Sequence, residues 1–239
     1  MRLYKLEWMK IRLSAYLWAI VGIFASVLAL GILFVFLFQI EADGGGISEE
    51  AALFGDWNGL FALTTALAFA CFSVLSSVLA AKVVVGDYCG ANAVSLLSYP
   101  VSRKTVFRTK CCIVCGITTA SAGVSNLLVI GMMYVTARMF TVAPQMNTAH
   151  FMLTVLLSSI FMGISSSAVG IISAAFGWKK RSAVATIVFA LLVVCVVTNF
   201  ITISPHHIVF VMLALCGIFC FIANFMYHML ADGIENMEV

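Results

Sequence analysis

Charge is scarce in this chain. Asp, Glu, Lys and Arg make up 10% of its 239 residues, against about 25% in a typical soluble domain. So few charges cannot cover a water-facing surface, while hydrophobic residues reach 63% and the mean hydropathy is +1.13. Proline is nearly absent, at three residues, which excludes a proline-rich linker; the shortage of polar residues excludes disorder. A net charge of +3 is too small for a nucleic-acid footprint, so no nucleic-acid partner is expected. The pattern G-x-x-x-x-G-K-[ST] does not occur, so the chain has no phosphate cradle and is not expected to hydrolyse ATP itself. H-E-x-x-H is missing as well, and His150, His206 and His207 stand without clustered carboxylates. No metal site or catalytic residue is expected. What remains is the composition of an integral membrane protein.

Cysteine is present but not in a disulfide pattern. Cys71, Cys195, Cys216 and Cys220 lie inside long apolar runs, and Cys111, Cys112 and Cys115 stand where one such run begins. Cys89 falls in a loop that the charge pattern places on the reducing side of the membrane. Cys112 and Cys115 form a lone C-x-x-C that no second pair or histidine cluster completes into a zinc site. These thiols read as small packing residues.

Six apolar runs reach the length needed to cross a bilayer, about 20 residues: 15–38, 59–81, 111–135, 151–176, 182–203 and 208–230. None of them contains Asp, Glu, Lys or Arg. The first is too long for the apolar core of a secretory signal and has no cleavage pattern after Phe38, so it reads as a span. Twelve of the thirteen basic residues alternate onto one face. Arg2, Lys5, Lys10 and Arg12 precede the first run, Lys82, Arg103, Lys104, Arg108 and Lys110 sit in the loop 82–110, and Lys179, Lys180 and Arg181 form a turn. The opposite face has Arg138 beside Glu41, Asp43, Glu49, Glu50 and Asp56. Basic loops stay in the cytoplasm, so both termini are expected on the cytoplasmic side. Trp8, Trp18, Trp57 and Trp178 lie near run ends and are expected in the interfacial aromatic belt.

Uncharged spans argue against a proton- or sodium-coupled carrier and against an intramembrane hydrolase. Small residues recur in helical register: Ser166, Gly170 and Ala174 in the fourth run, Ser73, Ser76, Ser77 and Ala80 in the second, and Gly116, Ser121, Gly123 and Ser125 in the third. Such faces let helix backbones approach closely, and they would also suit a subunit interface or lateral gate. Asn126, Asn199 and Asn224 are expected to hydrogen-bond between helices.

Two further elements are expected at the basic face. Residues 1–14 read as a short helix lying on the membrane. Tyr4, Trp8, Ile11 and Ala15 share a charge-free face, with Arg2, Lys5, Lys10 and Arg12 positioned to meet lipid headgroups. Within the loop 82–110, Ala93, Val94, Leu96 and Leu97 give a short helix with an apolar face, which Pro100 stops by disfavouring helix at Tyr99. A compact apolar helix in a basic loop suits a groove on a soluble partner, or the membrane interface with no partner at all.

This loop resembles that of the membrane subunits of type-2 ABC exporters. Those place, after their second span, an acid, a glycine, a Leu-Leu pair, then Pro-x-Ser-Arg and a lysine; here the matching residues are Asp87, Gly90, Leu96, Leu97, Pro100, Ser102, Arg103 and Lys110. The six-run layout, the cytoplasmic termini and the N-terminal interfacial helix match too. Asp87 replaces the usual Glu, and Ala91-Asn92 stands where Thr is common. In length and lack of a soluble domain the chain is most similar to bacitracin and lantibiotic self-protection permeases. The resemblance implies an all-helical permease domain over 1–239, with an ATPase-coupling loop carried by Asp87, Gly90, Val94, Leu96, Leu97, Pro100, Ser102 and Arg103. It also implies a separate ABC ATPase subunit in two copies binding ATP and Mg²⁺, and a second permease subunit, identical or paralogous. The cargo would be an amphiphile such as an antimicrobial peptide. A non-transporting scaffold or sensor, or an exporter of lipid, polysaccharide or ions, would share the same sequence features.

Overall fold

The structure is a computed structural model that describes residues 13–44, 57–86, 103–139, 148–203 and 207–235. It is all-helical, with six long elements: α1 (Leu13–Gly44), α2 (Trp57–Ala80, continued by a π-helical turn over Ala81–Val85), α3 (Arg103–Met139), α4 (Thr148–Lys179), α5 (Ala183–Ile203) and α6 (Ile208–Glu235). All six are long and apolar enough to cross a bilayer, the architecture of a multi-pass membrane protein. Even α5, the shortest at 21 residues, is about 32 Å long at 1.5 Å per residue, enough to match the hydrocarbon layer.

Except for α5, the helices exceed the apolar runs at one or both ends, and α3 does so most. It begins at Arg103 rather than Cys111, so Arg103, Lys104, Arg108 and Lys110 belong to a helix and not to the loop assigned from the sequence. The expectation of uncharged spans is corrected for this helix, whose apolar stretch runs Lys104–Met139. At 37 residues α3 is about 55 Å long, so its basic first turns reach the headgroup depth. Lys110, fully enclosed at 0% exposure, is the exception that the sequence concealed.

Layering follows from the bilayer as solvent. Lipid offers no drive to bury Leu or Phe, so helices with small and hydroxyl-bearing faces go inside. Helices α2 and α4 carry those faces, and 72% and 67% of their apolar cores are enclosed, against 17% for α1. Helix α4 packs against α2, α3, α5 and α6, while α1 leans on α2 and α3. The outward faces of α1, α5 and α6 present Trp18, Leu192, Phe200, Phe210, Phe221 and Phe225.

Close packing uses the small residues where they were expected. A Cβ on Gly170 would overlap the Ser76 hydroxyl, and one on Gly163 would sit 2.7 Å from the Thr119 carbonyl oxygen. Gly116 departs from the pattern: nothing lies near it, and its face is exposed. Several buried hydroxyls return to their own helix, as in Thr64 Oγ1 donating to Leu60 O at 2.8 Å, Ser165 Oγ to Phe161 O at 2.7 Å and Ser173 Oγ to Gly170 O at 2.9 Å, whereas the hydroxyls of Thr65, Ser73 and Ser76 are buried without a hydrogen-bond partner among the described residues. Asn126 Nδ2 donates to Ser159 Oγ at 3.0 Å, joining α3 to α4 as expected. Asn199 instead donates to Cys195 O of its own helix, and Asn224 is exposed; neither faces another helix, because both lie on outward faces.

Trp57 also departs from its assignment. It is not a belt residue but buried, 6.3 Å from the Phe151 ring and 6.5 Å from Tyr134, with Tyr134 stacked on Phe151 at 5.0 Å. This plug ties the start of α2 to the end of α3 and the start of α4. Trp57→Ala is therefore expected to cost about 3–5 kcal/mol, as for large-to-small core changes, whereas Trp18→Ala, at a site 77% exposed, should be near neutral. Thermal melts of the two purified variants compare them directly; equal melting temperatures would exclude the plug.

Candidate functional site

The described basic residues other than Arg138 gather at the opposite end from the aromatic plug, through a second and smaller core. Val84 from the π turn, Phe107 and Cys111 from α3, Ala175 from α4, and Leu230 and Ala231 from α6 form one buried cluster, with Trp178 and Tyr227 packed on it. Phe107 stacks on Tyr227 at 5.4 Å. Tyr16, near the start of α1, holds the Lys82 ammonium 5.6 Å from its ring centre, a cation–π contact between an exposed cation and a buried ring. The end of α2 and the start of α3 are thus seated in the same cup, which anchors both flanks of the intervening loop. The π turn adds a functional pointer, since such turns concentrate at functional sites.

Beside this cup lies an open groove of about 610 Å³ between the start of α3 and the end of α6. Its lining combines the charged or polar Lys104, Arg108, His228 and Asp232 with Cys112, Cys115, Ile171 and Tyr227. Lys104 Nζ lies 3.5 Å from Asp232 Oδ1, with side chains 45% and 71% exposed; a pair this wet contributes little to stability. A separate apolar cavity of about 160 Å³ sits between α4, α5 and α6, against Trp178, Phe176 and Phe189.

Helices α4 and α5 join at this end through a tight turn. Arg181 takes a left-handed conformation, φ 49°, with its N–H donating to Trp178 O and the Ser182 N–H to Gly177 O, both at 3.0 Å. Glycine is the usual residue at this helix end. A cation therefore stands there at a conformational cost of the order of 1 kcal/mol, which retains the third positive charge of the turn.

Of the site residues assigned from the sequence, Asp87, Gly90, Val94, Leu96, Leu97, Pro100 and Ser102 lie outside the described residues, as do Arg2, Lys5, Trp8, Lys10 and Arg12. Arg103 is described as the first residue of α3. Among the described residues no three His, Cys, Asp or Glu side chains are grouped to hold a metal ion. Sequence reasoning missed the α3–α6 groove and the enclosed Lys110. The run of four cations immediately before Cys111 was the available signal, because a helix that continues upstream of an apolar run carries its charges into the bundle.

No family model matches the chain, and no solved structure matches it. The chain is similar to an uncharacterized protein, YcbO, of Bacillus subtilis (strain 168), at 22% identity over 199 residues. The match spans 83% of this chain and 84% of that protein, so the two are distant homologues over most of their length.

Proposed function

We propose that this chain is the membrane permease subunit of an ATP-driven ABC exporter that moves an amphiphile such as an antimicrobial peptide. The observation that carries the reading is the segment 87–103, with its acid, Leu-Leu pair, proline stop and Pro-x-Ser-Arg. Its flanks support the reading: α2 and α3 enter it from one buried cluster of Val84, Phe107 and Leu230. A push on the loop would reach two helices together, and α2 lies at the centre of the bundle.

In this reading a separate ATPase, in two copies, binds ATP and Mg²⁺ and docks on the loop. A second permease copy or paralogue faces this one across the path. ATP-driven closure of the ATPase pair rocks the helices as rigid bodies. Both termini and the 87–103 segment are cytoplasmic, in a bacterial plasma membrane, from the bias of twelve basic residues to one.

Orientation is tested by single-cysteine accessibility in intact cells. Gly44→Cys is expected to react with an impermeant maleimide, whereas Ser102→Cys and Met237→Cys react only after lysis. A protected Gly44→Cys would reverse the orientation and remove the loop from the ATPase. The functional reading itself is tested by recovering the chain from native membranes, where an ABC ATPase is expected to co-purify. Full activity from a lone 25.8 kDa species would refute the need for an ATPase and a second permease subunit.

A further inference from the structure

We infer that the α3–α6 groove is a binding site for an anionic phospholipid drawn from the leaflet at the basic end. Helices α3 and α6 each pack along α4 but touch one another much less, which leaves a furrow floored by Ile171 of α4. The lining follows the order of the helices: Lys104 and Arg108 come first along α3, and Cys112 and Cys115 one to two turns further in, with Ile171 of α4 beside them and His228 and Asp232 on α6. A phosphodiester beside Lys104 and Arg108 and one acyl chain along the uncharged wall of Cys112, Cys115 and Ile171 match that order of chemistry. A free phosphate would leave the apolar wall uncovered.

Electrostatics points the same way. The first turn of α3 has no acidic residue, yet Arg103 and Lys104 stand in it and Arg108 and Lys110 follow within two turns. Cations at the positive end of a helix dipole are unfavourably placed, and a bound anion relieves both charge and dipole. Asp232 pairs with Lys104 at the surface, and a pair this exposed can exchange for a headgroup. Basic pockets between membrane helices at the cytoplasmic side suit anionic headgroups in general.

The groove also opens toward lipid. Phe221, Phe225, His228 and Met229 follow one another at i, i+4, i+7 and i+8 and are all exposed, so the groove residue His228 ends an outward apolar stripe of α6. A lipid can enter sideways without crossing water. This inference does not depend on the exporter reading, because it uses neither the 87–103 segment nor an ATPase.

Cys112 is an exposed thiol on the groove wall and serves as a reporter. The full chain is reconstituted in nanodiscs of phosphatidylcholine, with or without phosphatidylglycerol, and N-ethylmaleimide labelling of Cys112 is followed by fragment-resolved mass spectrometry. Two basic contacts correspond to about thirtyfold in lipid affinity, so phosphatidylglycerol is expected to slow labelling by tenfold or more. Arg108→Gln and Lys104→Gln should each remove most of that protection, while Arg138→Gln, at the other end, should keep it. Inorganic phosphate added to phosphatidylcholine discs should give none. Equal labelling in the two lipids with the wild-type chain, or equal protection in Arg108→Gln, overturns the site. Protection by inorganic phosphate alone would make it an anion site and overturn the lipid assignment.

Discussion

Leu97→Asp is expected to abolish recovery of the ATPase subunit with this chain and to abolish transport with it. In the proposed reading Ala93, Val94, Leu96 and Leu97, which lie outside the described residues, are expected from the sequence to form an apolar face that enters the partner's groove. An unpaired carboxylate in such a groove costs several kcal/mol, and about 1.4 kcal/mol is tenfold in affinity, so binding should weaken by orders of magnitude. Asp87→Ala should behave differently. If its carboxylate caps the short helix, the loss is about 0.5–2 kcal/mol, leaving assembly largely intact and transport reduced. Asn92→Ala is the control. All three should insert normally, because none lies in an apolar run. Pull-down of the ATPase and a peptide-protection assay in the same strains read both effects. Wild-type behaviour of Leu97→Asp in both assays would falsify the docking role of the loop.

A second large effect is expected from the contact between the two central helices. Gly170 faces Ser76, and a Cβ there would also come within 3.2 Å of the Ser76 carbonyl carbon. Rotating the serine side chain cannot clear backbone, so Gly170→Ala must push α2 from α4, at about 1–3 kcal/mol for overpacking. Gly170→Leu should prevent accumulation of folded protein, because α4 also carries the contacts to α3, α5 and α6. Ser76→Gly in the Gly170→Ala background removes the Oγ and Cβ overlaps but not the backbone contact, so it should recover part of the loss and leave the remainder, as residues in contact couple in a double-mutant cycle. Gly22→Ala, where nothing lies within 4 Å, should be neutral. Thermal melts monitored by size-exclusion chromatography compare the three variants that fold, and the yield of folded protein reads Gly170→Leu. An unchanged Gly170→Ala, or the absence of any rescue by Ser76→Gly, would place the α2–α4 contact elsewhere.

The two predictions address different parts of the molecule, and they separate assembly from coupling. Gly170→Ala loosens the centre and should lower stability whether or not an ATPase is present. Leu97→Asp leaves the bundle alone and should be silent in a melt of the isolated chain. A variant that lost both would indicate that the loop helps hold the bundle together.

Six helices and the segregation of basic residues were legible from the sequence because both depend on local composition. An apolar run of bilayer length must be helical to satisfy its backbone in lipid, and Lys or Arg between runs sorts to one face regardless of how the helices pack. The small-residue registers of α2 and α4 were legible for a similar reason, since Gly170 and Ser76 can serve close packing wherever a neighbour stands. Which neighbour, and at which end, was decided by tertiary structure. Trp57 lies at a run boundary like Trp18, and composition cannot distinguish a ring facing lipid from one enclosed by Tyr134 and Phe151. Asn126 and Asn199 are equally isolated in their runs, yet only the first meets another helix. Lys104, Arg108 and Lys110 looked like loop charges because hydropathy drops at Cys111, while hydrogen bonding carries the helix back to Arg103. The α3–α6 groove exists because both helices pack along α4 and touch each other little; which helices become neighbours is a property of the packing, which no single run of residues encodes.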